Sequence, residues 1–208
     1  MGKHETGYAR VPRDLYPTPP WVTETLVELV NIAGKDILES ACGDGRMSNA
    51  LIRAGARVYS TDIADHGYAG LDELLDFTAS IRLPRYFDGL ITNPPFGSRG
   101  KLAELFVETG LRHLRSEQLG FLALLLPVEF DSAKSRLRLF GVCPEFTGKI
   151  VLTRRVKWFE HPTKPSRQPK ENSAWFLWGD IDLHAPQSPV IRYAPISREM
   201  SVMQRSLV

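Results

Sequence analysis

The sequence has few of the residues that build disulfide frameworks and metal centres. Its 208 residues include only two cysteines, Cys42 and Cys143, and neither a C-x-x-C pair nor an H-x-x-x-H pair occurs. A disulfide scaffold is therefore excluded, and no metal site is expected. Two isolated cysteines suit a reducing compartment, so we expect a cytoplasmic protein.

Long apolar runs and a strong net charge are also missing. No apolar stretch is long enough to cross a bilayer, so we expect no membrane partner. The formal net charge is only +2, and the chain is 43% hydrophobic and 24% charged, which is ordinary for a globular protein. A chain of this length can form one α/β domain with a substantial core.

Hydrophobic periodicity predicts strands that alternate with helices. Strands are predicted at "DILES", "RVYSTDI", "FDGLITN" and "GFLALLLP". Helices are predicted at "TPPWVTETLVELVNIAG", "GRMSNALIRAG", "LDELLDF" and "KLAELFVETGLRHLR". We expect Thr18 to cap the first helix and Gly34 to end it. This alternation indicates an α/β fold with a doubly wound, mostly parallel sheet.

The C-terminal part of the chain has a different pattern. The segments "GKIVLTRRVKWF" and "AWFLWG" are strand-like, and a polar, proline-broken loop joins them as in a hairpin. The last residues are weakly patterned. We therefore divide the chain into an N-terminal arm (1–17), one domain (18–180) and a C-terminal tail (181–208).

A glycine turn and a later acid mark a predicted ligand site. Gly43 and Gly45 follow the first strand, and Asp62 ends the second. In an open parallel sheet, ligands bind beyond the carboxyl ends of the strands, and a carboxylate there can accept both hydroxyls of a ribose. The spacing does not fit the Gly-x-Gly-x-x-Gly dinucleotide fingerprint. An ordinary tight turn followed by a loop aspartate remains the alternative.

Three motifs in order, "LESACGDG", "STDI" and "TNPPFG", resemble the class I S-adenosylmethionine-dependent methyltransferases. The "NPPF" motif resembles that of the amino-group enzymes that modify N6 of adenine in DNA or RNA. The resemblance covers roughly residues 15 to 180 and implies a seven-stranded Rossmann-like sheet with a C-terminal antiparallel hairpin. It also implies S-adenosylmethionine as cofactor and nucleic acid as partner, and leaves the oligomeric state open.

The resemblance also implies roles for individual residues. The methionine part of the cofactor would contact Glu39, Ala41, Gly43 and Gly45. Its ribose would bind Asp62, and its adenine would contact Ile63, Asp76 and Phe77. Tyr16 and Thr18 would close over its amino acid end. The catalytic residues would be Asn93, Pro94, Pro95 and Phe96.

The chemistry of "NPPF" suits an amine whose lone pair is delocalised into a ring. Two acceptors, the side-chain carbonyl of Asn93 and the backbone carbonyl of Pro94, would localise that lone pair on nitrogen. The two prolines stiffen the loop, and Phe96 offers a flat face for the target ring. An ordinary turn with a buried phenylalanine is the competing interpretation.

Residues outside the three motifs bear on the target of the reaction. Seven basic residues and one acid lie between Lys149 and Lys170, which indicates either a phosphate-binding loop or a solvated surface. We expect substrate contacts from Lys164, Arg167, Lys170, Trp175 and Phe176, although one face of the aromatic strand could be core. A similar motif occurs in enzymes that methylate a glutamine side chain, so a protein glutamine N5-methyltransferase is the first alternative. An inactive binding subunit with this fold is the second.

Overall fold

The computed structural model describes residues 15–158 and 171–182, and within them a seven-stranded sheet is flanked by helices. The strands are β1 (Asp36–Glu39), β2 (Arg57–Asp62), β3 (Glu73–Leu74), β4 (Phe87–Thr92), β5 (Leu119–Pro127), β6 (Phe146–Val151) and β7 (Ser173–Gly179). The α-helices are α1 (Pro20–Val27), α2 (Arg46–Arg53) and α3 (Lys101–Arg115). Short 3-10 helices cover Phe77–Ala79, Ser98–Gly100, Phe130–Ser132 and Lys134–Leu139.

The strand order is β3-β2-β1-β4-β5-β7-β6. The pairs among β1 to β5 are parallel, whereas β7 pairs antiparallel with both β5 and β6. The mostly parallel sheet and the C-terminal hairpin are therefore confirmed. The order reverses between β1 and β4, and this reversal places the carboxyl ends of β1, β2 and β4 around one crevice.

Apolar side chains cover both faces of the sheet. One cluster joins Leu26 of α1 and Leu51 of α2 to the sheet, and the other joins Phe106 of α3 to the opposite face. Because both faces are covered, the central strand β5 is an unbroken run of buried apolar residues from Phe121 to Leu126. The helices thus form two layers, and the crevice opens at the edge between them.

The first helix is shorter than its sequence predicts. It ends at Val27, and Val30 and Ile32 then both enter the core at a spacing of two, which is the period of extended chain. Thr18 is not its cap, because Pro19 occupies that position and no side chain caps the helix.

The predicted helix at "LDELLDF" is wrong. Glu73 and Leu74 pair with the end of β2 as strand β3, and a 3-10 helix begins at Phe77. Two aspartates hold this path by accepting main-chain N–H groups. Asp72 accepts from Ser60, and Asp76 accepts from two residues of the 3-10 turn. Local side-chain acceptors compete with helix formation in this way.

Candidate active site

A cavity of about 210 Å³ lies where β1, β2 and β4 end. The segment Leu15–Thr18 forms one wall, so part of the predicted N-terminal arm borders the cavity together with the domain. Its lining includes most of the residues that the sequence singles out: Tyr16, Thr18, Glu39, Ala41, Gly43, Asp62, Ile63, Asp76, Phe77, Asn93 and Pro95.

The glycine turn brings main-chain atoms to the cavity wall. Gly43 adopts φ +54°, and its N–H donates to Oδ2 of Asp62 at 2.9 Å. Gly45 begins α2 at φ +80°, but it does not line the cavity. A Cβ at Gly45 would lie 2.1 Å from the Tyr68 ring, so this glycine is needed for packing against Tyr68. The expected contact between Gly45 and the cofactor stays a prediction, and the structure adds this packing role.

Asp62 is almost fully buried at the end of β2, and its carboxylate faces the cavity. Besides the Gly43 bond, its Oδ1 accepts from the N–H of Ala64 at 3.2 Å and lies 3.5 Å from Nε2 of His66. Each carboxylate oxygen can accept more than one hydrogen bond. Asp62 thus retains acceptor capacity toward the cavity.

Glu39 ends β1 as a buried carboxyl group. Ser48 donates to its Oε2 at 2.5 Å, and the hydroxyl of Ser60 lies 2.8 Å from that of Ser48. Burial raises the pKa of Glu39 from its usual value of 4.5 to about 8, against the hydrogen bond from Ser48, which lowers it. A cationic ligand in the cavity would favour the ionised form.

The cavity lining is acidic. It contains four carboxyl groups and, within the described chain, no lysine or arginine. Asp44 pairs with Arg46 at 2.9 Å and the pKa of Glu39 is raised, but the excess of carboxyl groups over cations still suits a cationic cofactor better than a phosphate-bearing one. Its one thiol is inert, because burial raises the pKa of Cys42 to about 12. The four carboxyl groups belong to Glu39, Asp44, Asp62 and Asp76.

Asn93 follows β4 and places its amide between the cavity and the N-terminal segment. Its Nδ2 donates to the carbonyl of Tyr16 at 3.2 Å and to Oγ1 of Thr18 at 3.1 Å. Its Oδ1 is buried and has no hydrogen-bond partner among the described residues. A buried carbonyl without a donor is costly, and beside a cavity a bound ligand can supply that donor.

The rest of the "NPPF" motif divides between the cavity and the core. Pro95 lines the cavity, whereas Pro94 is buried beside it. Phe96 is half-buried against the α3-side core and is not part of the cavity lining. Its carbonyl accepts from the N–H groups of Leu102 and Ala103, which anchors the loop to the start of α3.

The residues expected near adenine lie together on the β2 side. Ile63 is 65% exposed although it is apolar. Asp76 caps the 3-10 helix, and Phe77 packs with its ring centroid 5.3 Å from that of Phe106. Ile63 and Phe77 both line the cavity, and apolar side chains in its wall suit a ligand with an apolar face.

The predicted substrate contacts on β7 are wrong. Trp175 and Phe176 are both 0% exposed, because helices cover the two faces of the sheet to which alternate residues of this strand point. Trp175 also donates from Nε1 to the carbonyl of Val22. Neither ring can stack on a target in this fold. The other expected contacts, Lys164, Arg167 and Lys170, lie outside the described residues.

Two further residues lie where the sequence analysis does not predict them. Lys149, counted in the basic run, is largely buried and pairs with Asp131 at 2.8 Å, so it is a structural cation. His66 lines the cavity but was not predicted as a site residue. In the sequence, His66 is marked only by its spacing of four residues from Asp62. That spacing shows that the two side chains lie close together only when the local backbone conformation is known.

No protein-family model matches the sequence, and no curated protein matches it. Solved structures do match in fold. A candidate RNA methyltransferase from Pyrococcus horikoshii has 17% identity and a TM-score of 0.51 over 78% of this chain and 81% of its own. A dimethyladenosine transferase from Plasmodium falciparum has 17% identity and a TM-score of 0.52 over 77% of this chain and 61% of its own. A SAM-dependent O-methyltransferase from Thermotoga maritima has 15% identity and a TM-score of 0.50 over 77% and 65%.

These likenesses establish the Rossmann-like methyltransferase fold that the sequence predicted. The chain spans less than two thirds of the dimethyladenosine transferase and of the O-methyltransferase. The named activities include transfer to adenosine and to oxygen, so the fold leaves the acceptor open. No helix in the described part of the chain is long and apolar enough to cross a membrane. Within the same residues, no cluster of three or more His, Cys, Asp or Glu side chains could hold a metal ion.

Proposed function

We propose that the protein is an S-adenosylmethionine-dependent methyltransferase that acts on an exocyclic amine, namely N6 of adenine in a nucleic acid. One observation carries this proposal. The buried Oδ1 of Asn93 has no donor among the described residues, and its side chain lines the cavity at the carboxyl end of β4. An acceptor kept without a partner at a ligand site is suited to an N–H donor from the substrate.

The residues around the cavity fit the cofactor. The acidic wall suits a ligand with a sulfonium and an ammonium group, and the acceptor capacity of Asp62 suits the hydroxyls of a ribose. S-adenosylmethionine supplies an electrophilic methyl group when it is bound. The methionine part would contact Glu39, Ala41, Gly43 and Tyr16, and the adenine would lie among Ile63, Asp76 and Phe77.

The "NPPF" motif would prepare the target nitrogen. An amine conjugated to a ring is a weak nucleophile because its lone pair is delocalised. Oδ1 of Asn93 and the carbonyl of Pro94 would accept the two amino protons and favour a tetrahedral nitrogen. The prolines and the bonds from α3 to the Phe96 carbonyl hold this loop fixed, so the acceptors need little reorganisation.

Nucleic acid is the proposed target because the loop carries an aromatic ring next to the acceptor pair. Phe96 would stack on the target base, a contact worth about 1–3 kcal/mol. Lys164, Arg167 and Lys170 would contact phosphates. Two of the similar structures are named for RNA or adenosine substrates, which supports the same class here. A protein glutamine would present the same kind of nitrogen and is the competing acceptor to test.

The test incubates the protein with methyl-labelled S-adenosylmethionine and, separately, with DNA, RNA and translation factors. We expect label in adenine. Asn93→Ala should lower turnover by about 10²–10³ because one preorganised polar group is lost, while cofactor affinity is unchanged. Asn49→Ala is the matched control, since Asn49 is an exposed amide on α2 outside the cavity. Label in glutamine would show that the methyl acceptor is a protein side chain and not adenine. Full activity of folded Asn93→Ala would refute the role of Asn93.

A further inference from the structure

The orientation of the Asn93 amide is set by the N-terminal segment. Both of its Nδ2 protons are used, one on the carbonyl of Tyr16 and the other on Oγ1 of Thr18. A flipped amide would place Oδ1 against the Tyr16 carbonyl, where two acceptors would face each other. The two bonds therefore keep Oδ1 on the opposite side of the amide, where it has no partner among the described residues.

The segment that makes these bonds is stiff. Residues 16–20 read "YPTPP", so prolines flank Thr18 on both sides and fix much of its backbone. Thr18 is only 5% exposed. The Tyr16 ring is braced in turn by Trp158, with the ring centroids 6.0 Å apart and an angle of 70° between the planes. A rigid support of this kind is what precise placement of a reacting group requires.

The hydroxyl of Thr18 does not cap helix α1. The sequence predicts a capping role, but the helix begins after Pro19, and the first main-chain bond of the turn runs from Val22 to the Pro19 carbonyl. Among residues 15–158 and 171–182, the only hydrogen-bond partner of this hydroxyl is the Asn93 amide.

We propose that Thr18 is a positioning residue, whose hydroxyl holds the Asn93 amide with Oδ1 directed at the target nitrogen. This inference rests on the proposed function. It assigns Thr18 to the acceptor side of the reaction, whereas the sequence resemblance assigns it to the amino acid end of the cofactor. The two assignments predict different consequences when the hydroxyl is removed.

The test uses Thr18→Val, which keeps the shape of the side chain and removes the acceptor. We expect turnover at saturating cofactor to fall by about fivefold to tenfold, as for loss of one neutral hydrogen bond, with the dissociation constant of S-adenosylmethionine unchanged. Thr18→Ser should restore turnover. Thr23→Val is the matched control, because Thr23 is a buried threonine of α1 whose hydroxyl has no partner among the described residues.

A second readout needs no methyl acceptor. In ¹⁵N spectra, the side-chain amide signals of Asn93, assigned by their loss in Asn93→Ala, should shift in Thr18→Val and not in Thr23→Val. Unshifted signals would overturn the proposal, as would a weaker cofactor affinity with full turnover in Thr18→Val. If the wild type methylates none of the offered acceptors but the signals shift, the proposed function fails while the anchoring of Asn93 stands.

Discussion

Replacing Asp62 by asparagine should weaken cofactor binding without disrupting the fold. The carboxylate accepts from Gly43 through Oδ2 and from Ala64 through Oδ1. Asparagine has nearly the same size and keeps one carbonyl oxygen, so it can retain one of these main-chain bonds. It loses the negative charge and one acceptor, and both are needed if a ribose donates two hydroxyls to this side chain.

The expected size follows from the bond that is lost. A hydrogen bond to a charged group contributes about 1.5–3 kcal/mol, which corresponds to a rise of about 10- to 150-fold in the dissociation constant. The adenine and methionine contacts remain, so binding should weaken and not disappear. The product, S-adenosylhomocysteine, should lose a similar factor, because it carries the same ribose.

Isothermal titration calorimetry with both ligands measures this change. Asp72→Asn provides a matched control, because Asp72 also accepts a main-chain N–H of β2, from Ser60 at 2.7 Å, but it does not line the cavity. That control should lower the melting temperature and leave the dissociation constants unchanged. Equal affinity of the wild type and Asp62→Asn would refute the ribose assignment, and so would equal losses in the two variants.

Two further predictions concern buried residues of the sheet. The pKa of Glu39 is about 8 in the folded protein, above its usual 4.5, so its contribution to the free energy of unfolding is complete below pH 4.5 and is lost as the pH rises toward 8. Urea denaturation across this range should show that slope, and an identical slope in Glu39→Gln would contradict it. Trp175→Phe should lower the free energy of unfolding by about 1–3 kcal/mol, because it removes the hydrogen bond from Nε1 to the Val22 carbonyl and part of a fully buried side chain. The KM for the methyl acceptor should not change in this variant. A raised KM would show that Trp175 contributes to substrate binding.

The parts of the fold that the sequence predicts correctly are those governed by local pattern. Helix α2 begins after the glycine turn and ends before Gly55, which adopts φ +90°, and β5 is recognisable as a long apolar run. The errors occur where tertiary contacts decide. Residues 71–77 have a helical spacing of apolar side chains, but pairing with the end of β2 and the acceptors Asp72 and Asp76 impose an extended path.

The candidate site shows the same division. The rule that ligands lie beyond parallel strand ends correctly brings Asp62 and Asn93 to one cavity. This rule does not distinguish exposed aromatic rings from buried ones on a strand that is covered on both faces, so it wrongly places Trp175 and Phe176 at the substrate. The hydrogen bond between Thr18 and Asn93 joins residues 75 positions apart and has no signal in a single sequence.

The proposed transfer to nitrogen, as opposed to oxygen, rests on the side chain at the end of β4. A hydroxyl acceptor must lose its proton to become a strong nucleophile, and this requires a base. Asn93 is a neutral amide that cannot take up a proton, and its Nδ2 is already committed to two acceptors. An exocyclic amine keeps its lone pair while its N–H groups donate to Oδ1, so an acceptor is sufficient for it. The structures that share this fold are named for a dimethyladenosine transferase and for an O-methyltransferase, so the proposal of an amine acceptor rests on the chemistry of this side chain and not on the fold.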